Sequence, residues 1–467
     1  MARRNAGTME SIEVIIVAVS RWVWSAPLIA ILLGVSAYFS FRLKFLQIFR
    51  LRLAVQYLMG KDTATAKFIG DISHFGSLCT ALSATIGIGN IVGVALAIST
   101  GGPGAMFWMW VAAFFGMAAK YAEGFLAIKY RKVSDDGKIA GGPMYYIEMG
   151  LGNRTLARLF AMCGTAVALV GIGTWTQANA VASAAQSFSI PHWLTAILLG
   201  ALVAIVTVGG IHRISYVSEK VVPLMSAFYI GVAIIVMIMK MDTIPRALHA
   251  IVVGAFSPMA VLGGGVGVTA LIAAQLGISR GIFSHESGLG SAAIAAAAAK
   301  TDSPVKQGLV SMIGAFFSIV VCTMTGLVLI ITSNDTGIFS SQCSIDGTML
   351  TAYAFGFGIG IPRVGAYIVN IGILFFAFTT IIGWNYYGEK CIQYLWGDKV
   401  IVPYNVLFLF FVVIGPFFKI DAIFAVADIV TGLMAIPNLL GLIGLRKLVL
   451  EETESFFRNL VPMTKKS

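Results

Sequence analysis

Along the chain, long apolar runs alternate with short polar segments that carry most of the Lys and Arg. A helix needs about 20 apolar residues to cross a hydrocarbon core about 30 Å thick. By that measure the pattern predicts eleven crossings, at 13–40, 74–98, 105–128, 157–186, 193–210, 219–239, 259–299, 308–332, 363–387, 403–418 and 421–445. The run 259–299 is too long for one straight helix. It would reach about 60 Å at 1.5 Å per residue, so it must be tilted, broken or partly re-entrant. It contains GGGVG at 263–267 and GISRGIFSHESGLGS at 277–291, and a break is expected between Gly281 and Gly290.

A second interruption is expected in the stretch from Thr80 to Ile98, TALSATIGIGNIVGVALAI. Gly costs a helix about 1 kcal/mol against Ala, and Asn is also a poor helix former, so Gly87, Ile88, Gly89 and Asn90 favour a break. At membrane depth a break frees N–H and C=O groups that lipid cannot satisfy, and protein or a water-filled cavity must surround it. The plain alternative is a packing helix that uses small residues for close contact.

Composition agrees with the pattern: 58% of residues are hydrophobic and 11% charged, with a mean hydropathy of +0.89. Soluble domains carry about 25% charged residues. The chain is therefore expected to be an all-α polytopic membrane protein, one transmembrane domain over 1–467. An extra N-terminal helix (11–40) would be retained, because no small-residue cleavage site follows a short apolar core. Segment 41–70 alternates basic and apolar residues and should lie on the cytoplasmic interface. Segment 140–152, AGGPMYYIEMGLG, is expected to do the same. The repeats would occupy 71–240 and 259–445, and a cytoplasmic tail 446–467. The loop 333–348 is the one sizeable polar loop expected outside.

The net charge of +11 does not point to nucleic acid, since no basic block is interleaved with aromatics. Topology explains it instead. Twenty-three of the 32 Lys and Arg fall in 41–70, 129–158, 211–220, 300–306, 388–399 and the tail, which are alternate connections. The Lys/Arg-rich side is cytoplasmic, so the N-terminus is expected outside and the C-terminus inside. The five cysteines are scattered without a C-x-x-C pair, and they support neither a disulfide framework nor a metal site.

Without the first span, ten remain in two groups of five. Five is odd, so the second group runs opposite to the first, and each opens with a Gly-interrupted helix. Paired interrupted segments in inverted halves point to a secondary transporter with its site at the midplane. Half-helix N-termini suit a carboxylate, and unwound carbonyls and hydroxyls suit a hard cation. Candidates in the first broken helix are Ser83, Thr85, Asn90 and the carbonyls around Gly87. Gln177 and Asn179 stand in WTQAN of the fourth span, with Thr174 and Thr176. Thr379, Thr380, Trp384 and Asn385 stand in the ninth. A lone Thr in a helix is as readily explained by a hydroxyl bonded back to its own backbone, and Trp384 by an interfacial aromatic belt. Ionisable residues inside spans are functional candidates by default. Lys120 and Glu123 stand three apart, the spacing of an ion pair. Glu286 is a candidate proton-coupling group or a partner for Arg280.

These residues resemble the alanine or glycine:cation symporter family. The likeness is carried by GDISHFGSLCTALSATIGIGN, PGAMFWMWVAAFFGMA (103–118), AGGPMYY, RGIFSHESGLGSA, AAAAAKTDSP, GWNYYGEK and AIPNLLGL, which run from Gly70 to Leu442. The resemblance implies a LeuT-like 5+5 inverted repeat with about eleven transmembrane helices, in a bacterial-type plasma membrane. It also implies uptake of small neutral amino acids coupled to Na+, or to H+ in some members, with no cofactor. Thr85 with the Gly87 and Gly89 backbone would meet the substrate carboxylate, and Gln177, Phe283, Thr380 and Trp384 would line the pocket. Asn90, Ser83 and Thr379 would serve the cation. This chain departs from the family pattern at Ile88, Ala178, His285, Ser287 and Asn385, which leaves substrate choice and coupling ion open.

Two other classes find less support. A zinc-dependent membrane enzyme would show H-E-x-x-H, and His285–Glu286 has no second His. A passive channel would show charged or carbonyl-lined filter repeats, and none is evident.

Overall fold

The computed structural model describes residues 14–464 except 61–67, 134–138, 257–269, 337–346 and 419. Over these residues the chain is almost wholly helical. Eight described helices are long and apolar enough to cross a membrane, or nine with the bent pair His74–Thr85 and Ile88–Gly101 taken as one span. That pair is angled by 65°. The remaining two expected crossings contain the shorter apolar helix His192–Thr207 and a second interrupted segment, Ala270–His285 followed by Ser291–Ala297. GGGVG lies outside the described residues.

The two broken helices cross antiparallel, half against half. His74–Thr85 packs on Ser291–Ala297, and Val92–Gly101 packs on Ala270–His285. Ser77 Oγ donates to Ala295 O at 3.0 Å in the first contact, and Ser284 Oγ donates to Gly89 O at 3.1 Å in the second. This brings the two breaks side by side, where each can help satisfy the other's freed backbone. Gly104–Lys129 lies along the second broken helix and Pro304–Ile331, and it is buried over most of its length. The outer helices instead expose large apolar side chains such as Leu224, Ile205 and Val402. Such a surface suits lipid rather than water.

The basic connections meet at one end of the molecule. Lys129 Nζ reaches Glu452 Oε1 at 2.6 Å, and the Arg50 guanidinium lies 4.4 Å from the Phe457 ring centre. Lys306 Nζ stands 5.6 Å from the Tyr57 ring. Segments far apart in sequence thus share a side, as their charge requires.

Four expectations need correction. Segment 140–152 packs into the protein and does not lie as an exposed surface helix: Pro143–Leu151 buries Pro143 to Ile147, and the Tyr146 hydroxyl donates to Asn438 Oδ1. The span 157–186 is present as Arg154–Gln186, but it carries an internal interruption, with helices Arg154–Val170 and Trp175–Gln186 joined by an extended Gly171 and a turn. The stretch after the polar loop is an apolar helix, Gly347–Ile359, folded back on Pro362–Trp396. At about 1.5 Å per residue it is too short to cross, and so is a further helix between the two groups, Ile244–Phe256.

Candidate functional site

The first break begins where the intrahelical ladder fails. Ile86 N still donates to Leu82 O at 2.7 Å. Gly87 then turns extended, with φ −127° and ψ −155°, and Ile88–Asn90 form a single 3-10 turn. Asn90 closes it by accepting from Gly87 N at 3.2 Å on Oδ1. The Gly89 N–H has no acceptor among the described residues. It lies near the start of the second half-helix, Val92–Gly101, where backbone N–H groups and partial positive charge favour an anion.

Distant helices supply the remaining partners. Thr380 Oγ1 donates to Ser83 O at 3.0 Å and lies 3.5 Å from Ile86 O. Gln177 Oε1 accepts from Ile88 N at 3.4 Å, while its amide donates to Ile172 O at 3.1 Å. Asn90 Nδ2 donates to Ser318 Oγ at 2.8 Å, and Thr325 Oγ1 donates to Asn90 O at 2.9 Å. Space is tight: a Cβ on Gly87 would lie 2.5 Å from Thr380 Oγ1, and one on Gly89 would lie 3.1 Å from the Phe283 ring. Gly at position 87 is thus a requirement of close approach.

The second break is built differently. Glu286, Gly288 and Gly290 all have positive φ, at 52°, 86° and 82°, a region that costs a residue with a Cβ. Glu286 accepts from Ser291 Oγ at 2.5 Å and from Trp384 Nε1 at 3.3 Å. Glu123 Oε1 accepts from Gly290 N at 3.0 Å and from Asn438 Nδ2 at 2.8 Å, and Asn438 also donates to Gly288 O at 2.9 Å. A substituted turn completes it, in which His285 Nδ1 accepts from Ser287 N at 3.2 Å.

The structure therefore brings Gly87, Gln177 and Thr380 together, sets Phe283 against Gly89, and joins Trp384 to Glu286. All of them are buried, as are Ser83, Thr85 and Asn90, so the region is closed on both sides. Ser83 and Thr85 donate to Thr80 O and Ala81 O at 2.8 and 2.7 Å. Each hydroxyl keeps lone pairs free to face a cation or ammonium. Thr379 is not part of this convergence: it back-bonds Phe376 O at 3.0 Å and rests against Met225 Sδ. Asn179 turns to Phe418 O and Asn385 to Asn405 Oδ1, both at 2.8 Å and away from the break.

Two candidate ion pairs are not formed among the described residues. Arg280 pairs with Asp428, its two nitrogens 3.1 and 2.6 Å from the carboxylate oxygens, and not with Glu286. Lys120 lies beyond 4.0 Å of Glu123 among the described ion pairs. The backbone of the second break claims Glu123 instead. Sequence reasoning also missed Asp428 and Asn438, and the stripe Ser318, Cys322, Thr325 against the first break. That stripe had a readable signal, since its four- and three-residue spacing puts polar atoms on one helix face. The turn that aims Gln177 had one too: Gly171-Ile172-Gly173 repeats the Gly-Ile-Gly of the first break.

A Haemophilus influenzae protein named as an uncharacterized transporter is 50% identical over 96% of this chain and 97% of its own length. The sodium/alanine symporter AgcS of Methanococcus maripaludis is 45% identical over 94% of this chain and 96% of its own. Among solved structures, MhsT in complex with L-phenylalanine aligns with a TM-score of 0.57 at 12% identity, covering 79% of this chain and 88% of that one. At that identity the likeness is one of fold, the LeuT-like fold with its inverted repeat. The chain is a multi-pass membrane transporter and not an enzyme. With residues 9–466 matched by the family model, on the fold that the two broken helices build, this chain belongs to the sodium:alanine symporter family.

Proposed function

We propose that the protein is a secondary active symporter that imports a small neutral amino acid, of the alanine or glycine type, together with Na+. The observation that carries this reading is the convergence on Gly87–Asn90 of groups from separate helices, around an N–H with no acceptor among the described residues. The substrate carboxylate would take the Gly89 N–H, with Thr85 and Gln177 beside it. Phe283, Thr380 and Trp384 would close around the side chain. Na+ would be held by Ser83 and Asn90 with unwound carbonyls, oxygen donors of the type a hard cation takes, while Thr379 stays bonded to its own helix. Cargo and cation together would stabilise the closed state and shift the protein between outward and inward openings. Glu286, committed to Ser291 and Trp384, would hold the pocket Trp in place.

The charge asymmetry supports a plasma-membrane orientation with the N-terminus outside and the C-terminus in the cytoplasm. The decisive experiment is uptake of labelled alanine into proteoliposomes with and without an inward Na+ gradient. Accumulation that requires the gradient is expected, and its absence for every small neutral amino acid would sink the reading. A second reading, H+ in place of Na+ with Glu286 as carrier, draws on the burial of that carboxyl among the candidate site residues. Accumulation driven by a pH gradient in Na+-free buffer, lost in Glu286→Gln, would favour it. Competition by serine and glutamine sets the substrate range.

A further inference from the structure

At the basic end of the molecule the two broken helices are joined through their backbones. Asp71 N and Ile72 N donate to Ala298 O at 2.8 and 3.1 Å, and Lys300 N donates to Ile72 O at 2.7 Å. Ile72 and Ala299 form a parallel bridge. The segment entering His74–Thr85 and the segment leaving Ser291–Ala297 thus make a short strap.

One guanidinium lies across it. Arg131 follows the end of Gly104–Lys129, a helix without a break. Its Nη1 donates to Ala299 O at 2.7 Å and Ala297 O at 3.3 Å, and its Nη2 donates to Ile69 O at 3.0 Å and Thr301 O at 3.1 Å. Three of these carbonyls belong to the end of the second broken helix and the residues after it, where helix carbonyls carry partial negative charge. The fourth precedes the first broken helix. Only Arg offers a planar fork of donors that can hold four carbonyls at once, whereas Lys presents a point charge with three.

His74–Thr85 carries Ser83 and Thr85 of the candidate site, so a path from this end requires that half-helix to part from its neighbours. The strap and Arg131 oppose that parting. We propose that Arg131 is a positioning residue for transport, the clasp of an inner gate that keeps both broken helices closed at their basic ends. The inference rests on the reading that this end faces the cytoplasm.

Cys79 provides a native reporter, since it is buried in His74–Thr85. In a chain with Cys163, Cys322, Cys343 and Cys391 replaced by Ala, a membrane-impermeant maleimide is applied separately to each face of vesicles. Arg131→Ala is expected to raise Cys79 labelling about tenfold from the cytoplasmic face alone, equivalent to about 1.4 kcal/mol of easier opening. Arg131→Lys should give a smaller rise on the same face. Gly70→Val tests the strap with Arg131 intact, because a Cβ there would lie 2.5 Å from the Lys300 backbone; it should produce the same one-sided rise. If Arg131→Ala fails to fold, the Lys and Gly70 variants decide. Equal rises from both faces would mean general loosening and overturn the clasp, as would no rise in any folded variant. A one-sided rise from the outer face would keep the clasp and reverse the orientation, so the two readings fail separately.

Discussion

At the first break every side chain that hydrogen-bonds the freed backbone, among the described residues, is an amide or a hydroxyl: Gln177, Asn90, Thr325, Thr380 and Ser284. At the second, two buried carboxylates, Glu123 and Glu286, hold the turn, with Asn438, Ser291 and Trp384 as their donors. The difference separates two tasks. A neutral hydrogen bond is worth about 0.5–1.5 kcal/mol net, so contacts at the first break can be exchanged for those of a ligand at small cost. A hydrogen bond to a carboxylate is worth about 1.5–3 kcal/mol, and each carboxylate here holds two, so the second break should keep its contacts through the cycle. The first break is built to be re-bonded, and the second to stay bonded.

Several substitutions would break that contrast. Gly87→Val places carbon against Thr380 and should lower uptake by about 100-fold at normal surface expression, a loss of about 2.7 kcal/mol. Near-normal uptake in that variant would mean the close approach is not needed. Asn438→Ala removes one of the two donors to Glu123 and the donor to Gly288 O, and should destabilise the detergent-solubilised protein by about 2–3 kcal/mol, read as a lowered melting midpoint. If that midpoint stays put while uptake falls, the second break is not the rigid one. Gln177→Ala and Trp384→Ala should each raise the KM for alanine about tenfold with expression intact. Wild-type affinity in both would remove them from the pocket. Thr380→Val should behave like Gln177→Ala, whereas Thr379→Val should change KM less than about threefold without Na+ limitation, since its hydroxyl is spent on its own helix. A larger loss confined to low Na+ would return Thr379 to the cation site.

Much of this could be read from the chain because the signals are local. Gly87–Asn90 and Gly288–Gly290 announce breaks through residues that cannot hold a helix there, and the family motifs surround both. Thr379 and Thr380 show the limit. They are identical neighbours in one helix, about 100° apart around its axis, and nothing local says which one faces Ser83. The same holds for Arg280, which the sequence offers Glu286 six residues away. The fold gives it Asp428, on a helix at the other end of the chain, whose backbone carbonyl also accepts from Trp24 Nε1 at 2.9 Å.

The sequence by itself determined the membrane class, the presence of two interrupted helices and the family resemblance, because apolar run length, charge placement and glycine depend on neighbours in the chain. Only the tertiary structure decided which polar atoms meet. Thr380 finds Ser83 across 297 residues and Asn438 finds Glu123 across 315. Inside a membrane protein most buried donors find some acceptor, but many arrangements satisfy that demand locally. The choice among them is made by the packing of helices against one another, which no single stretch of sequence contains.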